Sequence, residues 1–278
     1  MIVRYVSTTA LVALFWIACT AQSADAPMPL NKIGAVKLII GNVKENQSYF
    51  EQMFGMKEID QYHDAAYDEP IMGFDGGAHL ALFSPKLEPP LGKSAYPVAL
   101  FYTPDLDALV KRLQDAKHPV RMLDAAQTGT LKIAIARDPS GNAIELVARA
   151  GNWAVGGSKL IVSDRQKAEA FYAKVFNATP GQRFKTPMYD EVLMKLGDGP
   201  FLALFQPLAE PPLAKSKYPV VAIYSSEFEA VVQRLADAGV GYREVPTGRP
   251  GQRIIVATDP AGNAVEIIRR VQPAVAAE

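Results

Sequence analysis

Cysteine is almost missing from this chain. Of its 278 residues one is a cysteine, Cys19, so an internal disulfide and a zinc–thiolate cluster are excluded. A thiol nucleophile would rest on that residue alone. Histidine is scarce too, at three: His63, His79 and His118. Net charge is absent, with 29 basic and 29 acidic side chains. Neither a nucleic acid nor an anionic membrane surface therefore gains an electrostatic hold on it. No Gly-rich phosphate loop and no convincing Ser-His-Asp set can be found. Gly76-Gly77 and Gly197-Asp198-Gly199 read as hairpin turns.

Long hydrophobic runs are lacking as well. The apolar stretch from Ala10 to Ala18 is short of the ~20 residues that a membrane span needs. Arg4 precedes it and small residues follow, the layout of a secretory leader. Residues 1–23 are expected to be a signal peptide cut near Ser23, leaving an exported, periplasmic or secreted protein with no integral span. Two alternatives stay open. One is an uncleaved anchor. The other is a lipid anchor through Cys19, because Ile17-Ala18-Cys19 partly resembles a lipoprotein box, with Trp16 where Leu is usual.

What the chain does have is itself, twice. Glu88 to Val98 reads EPPLGKSAYPV and Glu210 to Val220 reads EPPLAKSKYPV. A fixed offset marks a duplicated unit. The same offset carries Tyr49-Phe50 onto Phe171-Tyr172, Tyr67-Asp68-Glu69 onto Tyr189-Asp190-Glu191, and Leu80-Ala81-Leu82-Phe83 onto Leu202-Ala203-Leu204-Phe205. One residue is lost before the end, where Asp138-Pro139-Ser140-Gly141-Asn142-Ala143-Ile144-Glu145 matches Asp259-Pro260-Ala261-Gly262-Asn263-Ala264-Val265-Glu266. Residues 33–150 and 155–270 are thus two copies of one domain, joined by a linker in which Trp153 is expected to pin them together. Residues 271–278 form a tail.

Within copy one, a short β run from Lys37 to Ile40 leads to a helix over 43–54. Asn42 is its expected N-cap and Gly55 its stop. In copy two, Lys159 to Val162 and a helix capped by Asp164 repeat the arrangement. Strands are expected at 57–61, 71–74 and 79–83. The two prolines of EPPL cannot continue a strand ladder and mark a crossover. The scheme then restarts with a strand over 98–103, a helix over 105–116, and strands over 120–123, 131–137 and 143–147. Each copy therefore reads βαβββ, a Pro-rich connection, then βαβββ.

This pattern resembles the vicinal oxygen chelate superfamily, which includes glyoxalase I, the extradiol dioxygenases and the bleomycin-resistance proteins. The likeness is carried by Ile40-Gly41-Asn42-Val43 leading into Tyr49-Phe50 and Phe54-Gly55-Met56, by Val162-Ser163-Asp164 leading into Phe171-Tyr172 and Phe176, and by the Asp-Pro-x-Gly-Asn endings. It implies an α+β fold of tandem glyoxalase-like domains, each two βαβββ modules with curved mixed sheets, four modules in all. The modules would pair to enclose cups, and a two-copy chain looks like a fused dimer. A monomeric pseudo-dimer with two related cups is the expectation.

Members that chelate a divalent metal take His, Glu or Gln ligands from the first strand and a late strand of each module. Here the first-strand positions fall near Ala35 and Gly157, and near Pro97 or Val98 and Pro219 or Val220. The late-strand positions fall near Ala81 and Ala203, and at Glu145 and Glu266. Only the two glutamates could ligate, so no metal site and no cofactor are expected. The alternative is one divalent metal held by ligands placed elsewhere, such as a His79–Glu145 pair.

Glu145 and Glu266 lie in apolar strands, where a carboxylate needs a partner or a raised proton affinity. They are the candidate catalytic residues. Candidate ligand-binding residues are Tyr102 and Tyr224 in matched strands, His79 on the same strand face as Ala81 and Phe83, and the matched cations Lys132 and Arg253. Tyr67-Asp68-Glu69 and its twin Tyr189-Asp190-Glu191 read as turn and strand start, with a tyrosine that lines a cup and donates a hydrogen bond as the alternative. His63 and His118 read as solvated. The functional expectation is an exported protein that binds or transforms a small molecule in a cup, without the superfamily's metal set. A metal-dependent glyoxalase-like lyase or dioxygenase is the first alternative, and a structural or partner-binding protein the second. Whether the chain is an enzyme stays open at this stage.

Overall fold

The computed structural model describes residues 31–86, 96–124, 128, 130–208 and 218–270. The leader, Cys19, the tail and both EPPL segments lie outside the described residues. Among the described residues no helix is long and apolar enough to cross a membrane.

The chain folds as four βαβββ modules. The first comprises β1 (Asn31–Ile39), α1 (Val43–Phe54), β2 (Lys57–His63), β3 (Tyr67–Gly73) and β4 (His79–Pro85). The second comprises β5 (Ala99–Thr103), α2 (Leu106–Asp115), β6 (Val120–Met122), β7 (Ile133–Arg137) and β8 (Ala143–Ala148). The third comprises β9 (Ala154–Ile161), α3 (Arg165–Phe176), β10 (Thr179–Lys185), β11 (Tyr189–Lys195) and β12 (Phe201–Pro207). The fourth comprises β13 (Val221–Ser225), α4 (Phe228–Asp237), β14 (Tyr242–Val245), β15 (Ile254–Thr258) and β16 (Ala264–Arg269).

Local chemistry sets the helix ends. The Asn42 side chain accepts a hydrogen bond from the Glu45 backbone N–H, and Asp164 does the same for Lys167. This satisfies amides that the first turn leaves without a carbonyl. Gly55 ends α1 in the left-handed region at φ 70°. Asn177 takes that place after α3 at φ 55°, the side chain best able to stand in for glycine there.

The modules do not pair within a copy. One eight-stranded sheet runs β14-β15-β16-β13-β1-β4-β3-β2, and the other runs β10-β11-β12-β9-β5-β8-β7-β6. Modules one and four thus share the first sheet, and modules two and three share the second. The seams are the antiparallel pairs β1–β13 and β5–β9. Each copy supplies half of each sheet, so the copies are interlocked by backbone hydrogen bonds.

Strand alternation divides every strand between two environments. Val36, Leu38, Leu80 and Leu82 point towards the helices and join one large core with Phe50, Phe54, Phe101, Tyr172 and Phe176. Ala35, Ile71, Ala81 and Ala222 form a separate small cluster on the other face of the first sheet. Trp153 packs on Phe54 and Phe74 at ring distances of 6.0 and 5.8 Å, tying the linker to module one.

The repeated Asp-Pro-x-Gly-Asn turn does structural work. Asp138 accepts from the backbone and side-chain N–H groups of Asn142, whose Nδ2 also donates to the Ile39 carbonyl at 3.1 Å. Asn263 does the same for the Ile161 carbonyl at 3.2 Å. The turn before each last strand is thereby pinned to the end of the first strand in its own copy. That pin crosses from one sheet to the other.

Candidate functional site

The concave faces of the two sheets form two cups, here cup A (modules one and four) and cup B (modules two and three). Their floors are built alike. Lys37 on β1 is 3 % exposed, and its Nζ lies 2.6 Å from Glu69 Oε1 and 3.0 Å from Glu266 Oε2. In cup B, Lys159 Nζ lies 2.9 Å from Glu191 Oε1 and 3.1 Å from Glu145 Oε2. An aromatic ring backs each ammonium, Phe83 at 5.4 Å and Phe205 at 5.0 Å.

The electrostatics follow from burial. Both lysines are held above their usual pKa: burial works against the charged form, but two carboxylates outweigh it. Glu69 is pushed up, because loss of water and the nearby Glu266 together outweigh the pull of Lys37. Glu191 is pushed up for the same reasons, with Glu145 as its neighbour. Burial also raises Tyr67 and Tyr224 to about 12, so both hydroxyls keep their protons. His79 is lowered by burial and by Lys32, which favours its neutral imidazole.

Around the floor of cup A is a cavity of about 300 Å³. Tyr62, Tyr67 and Tyr224 supply aromatic wall, His79 and Asp60 supply polar groups, and Ala35, Ala81 and Ala222 leave the space. Tyr224 lies flat across β1 because residue 34 is glycine; a Cβ there would stand 2.4 Å from the ring. At the mouth Arg249, from the β14–β15 connection, grips Asp60 on the opposite sheet edge with two bonds of 2.9 and 3.0 Å. It also donates to the Tyr62 hydroxyl at 3.1 Å and stacks over that ring at 4.1 Å. This clasp joins β2 to the far edge of the same curled sheet.

The expected site residues are therefore divided. Glu266, Tyr224 and His79 line cup A. Glu145 belongs to cup B, paired with Lys159. His79 and Glu145 thus stand on different sheets, and the expected metal-holding pair does not form. Tyr102 is on the cup B sheet, with the Arg149 guanidinium 3.6 Å above its ring. Lys132 pairs with Asp107 in solvent, and Arg253 pairs with Glu229 and Glu244. Arg253 alternates with Gln252 and Ile254, and only Ile254 of the three lines the cavity. Neither cation enters cup A. His63 is exposed beside Asp68, while His118 sits edge-on to Tyr49 at 4.7 Å.

Four floor residues, Lys37, Lys159, Glu69 and Glu191, carry no functional role in the sequence-based reading. Lys37 and Lys159 stood at the start of expected strands and carried no assigned role. Tyr67 opens β3, in keeping with the expected strand start, and also lines cup A, while Glu69 faces inward from within the same strand. The signal was present in the matched spacing of Lys37/Lys159, Glu69/Glu191 and Glu266/Glu145. A lysine conserved between copies in an apolar strand calls for buried carboxylates, and each copy offers two.

The sequence profile of the Glyoxalase/Bleomycin resistance protein/Dioxygenase superfamily matches residues 32–146 and again residues 152–267. The chain belongs to that superfamily. Its fold is similar to glyoxalase I from Zea mays, with a TM-score of 0.71 at 19% identity, covering 86% of this chain and 92% of that one. It is also similar to a putative dioxygenase from Bacillus subtilis, with a TM-score of 0.65 at 17% identity, covering 88% and 86%. No curated protein matches the chain significantly. At such identities the likeness shows the fold alone.

Chelating members of the superfamily would need several ligands converging in a cup. The donors of cup A do not fit that requirement. Glu69 and Glu266 both turn to the Lys37 ammonium, which has no lone pair to offer a metal. Facing Glu266 across the β13–β16 pair stands Ala222. Among the described residues no three His, Cys, Asp or Glu side chains converge as a metal-holding group.

Proposed function

We propose that this superfamily member binds a small organic molecule in cup A and does so without a metal. The observation that carries the reading is the Lys37 ammonium clamped between Glu69 and Glu266 beneath an open cavity of about 300 Å³. That volume is at the lower end for small-molecule sites. The ammonium supplies a fixed positive charge at the centre of the cup, as a divalent ion would, but it cannot exchange ligands with a substrate. Recognition then falls to the tyrosine hydroxyls, the free faces of the carboxylates and His79.

The leader-like first residues support export, with Cys19 a candidate lipid anchor. The interlocked sheets support a monomer, since each cup is already completed by both copies. A second reading keeps catalysis in view: Glu69, with its raised proton affinity, is placed to give or take a proton from a bound molecule. A metal-dependent version would need Lys37 displaced, with Glu69, Glu266 and His79 as donors.

The test is equilibrium dialysis of the untagged protein against zinc, nickel and manganese, alongside a thermal-shift screen of small molecules. No stoichiometric metal is expected, together with hits that Ala222→Leu weakens. About one metal per chain, lost in His79→Ala or Glu266→Gln, would replace it with the metal-dependent version.

A further inference from the structure

The charges facing cup A do not cancel. Lys37 contributes one positive charge, and Glu69 and Glu266 contribute two negative ones. Asp60 and Arg249 neutralise each other at the mouth, and His79 is neutral for the reasons given above. Among the residues that line the cavity one negative charge is left over, below the tyrosine rings, while Lys32 acts on His79 from outside that lining. Glu69 is 7 % exposed and Glu266 8 %, both line the cavity, and among the described residues they share the single Lys37 ammonium. Two buried carboxylates that share one ammonium at the bottom of a cavity are a place where a further donor is rewarded.

Resting on the reading of cup A as the binding site, we propose that its ligand is a small organic monocation, an amine or quaternary ammonium carried on an apolar or aromatic body. The cationic group would sit against Glu69 and Glu266 from the side opposite Lys37, and the body would lie between Tyr62 and Tyr224. Three features agree on this class. The surplus carboxylate charge selects a cation. The tyrosine rings beside the carboxylates give an aromatic body a wall to pack on. The apolar remainder of the wall, Ile71, Ile254 and Ile268, takes up a hydrocarbon body. An anion would meet the surplus charge with like charge. A neutral molecule would leave that charge uncompensated, with proton uptake at Glu69 as the cup's other way of losing it.

The deciding experiment is isothermal titration of the full chain at neutral pH with three probes of nearly one shape: phenethylamine, phenethyl alcohol and phenylacetate. The amine is expected to bind at least about tenfold more tightly than the alcohol, which corresponds to about 1.4 kcal/mol, with the carboxylate weaker still. In Glu69→Gln the amine's advantage over the alcohol should vanish. The ranking is read on the unaltered protein, so it stands even where that variant folds poorly. Ala222→Leu, which narrows the cup beside Glu266, should weaken binding of all three at least about tenfold. If the alcohol or phenylacetate binds as well as the amine and Ala222→Leu still weakens it, the ligand class is wrong and the cup remains the site. If every affinity is unchanged in Ala222→Leu, or no probe binds at all, both the class and the cup reading fall.

Discussion

Residue for residue, Lys37, Glu69 and Glu266 in cup A are matched by Lys159, Glu191 and Glu145 in cup B, and the ion-pair distances agree within a few tenths of an ångström. The surroundings differ. Beside the C-terminal glutamate, cup A has Ala222 and cup B has Leu100. On the neighbouring strand cup A has His79 opposite Ala35, whereas cup B has Phe201 opposite Gly157. A Cβ at Gly157 would stand 2.8 Å from the Phe201 ring, so that glycine makes room for the phenylalanine. Leu100 and Phe201 take up volume that cup A leaves open. The edge strand differs too: Gln182 and Phe184 replace Asp60 and Tyr62, removing the carboxylate that Arg249 grips in cup A. The charged floor is thus common to both cups, and the cups differ in what surrounds it, which is where the proposed binding of a small molecule would be decided.

The largest effect should come from breaking a floor. Lys37→Met leaves two buried carboxylates facing each other and should cost about 3–5 kcal/mol in denaturant unfolding. Lys159→Met should cost a similar amount. A much smaller loss in cup A than in cup B would show that the floors are not equivalent.

Exchanging the surroundings sharpens the comparison. Leu100→Ala should cost about 2–5 kcal/mol by opening a cavity in cup B. Ala222→Leu should cost about 1–3 kcal/mol, because Ala222 is 1 % exposed and packs among Ala35, Ile71 and Ala81 at the edge of the cavity. Combining Leu100→Ala with Phe201→His should give cup B a binding capacity measurable by the same titration. Failure of the doubly opened cup to bind anything would place selectivity in Asp60, Tyr62 and Arg249 instead.

A pH series separates the raised glutamate from its neighbours. Glu69 holds its proton more tightly in the folded chain than an ordinary glutamate does. Its contribution to stability is therefore full below about pH 4.3, the ordinary glutamate value, and is lost as pH rises through the higher folded value. Measured against Glu69→Gln, the wild type should lose stability with rising pH over that window, at up to about 1.4 kcal/mol per pH unit. A wild type that gains stability relative to the variant over the same window would mean that Lys37 wins over burial.

The smallest effect on stability belongs to the clasp. Arg249 and Asp60 are both about half exposed, and such pairs contribute at most about 1 kcal/mol. Arg249→Ala should therefore barely shift unfolding, yet it should speed probe dissociation from cup A in stopped-flow measurements. An unchanged off-rate would remove the clasp from the account of ligand entry.

Much of the fold was legible because the chain states it twice. The α1 boundaries, the caps at Asn42 and Asp164 and the βαβββ order follow from periodicity and turn chemistry repeated at one offset. The pairing of module one with module four was not legible. Strand partners across more than a hundred residues leave no local mark, and β1 could have paired within its own copy by the same alternation. For the same reason the sequence does not show that His79 and Glu145 belong to different sheets. The floor was half legible. Glu145 and Glu266 stood out as carboxylates in apolar strands, but their partners, Lys37 and Lys159, looked like ordinary strand-start residues. Only the register across the curved sheets brings these residues together.

The most direct test of the central claim is a crystal structure of the protein soaked in parallel with phenethylamine and with zinc. The account predicts amine density in cup A against Glu69 and Glu266, none in cup B, and Lys37 still between its two carboxylates in the zinc-soaked crystal. Zinc bound by Glu69 and Glu266 with Lys37 swung away, or equal amine occupancy in both cups, would contradict it.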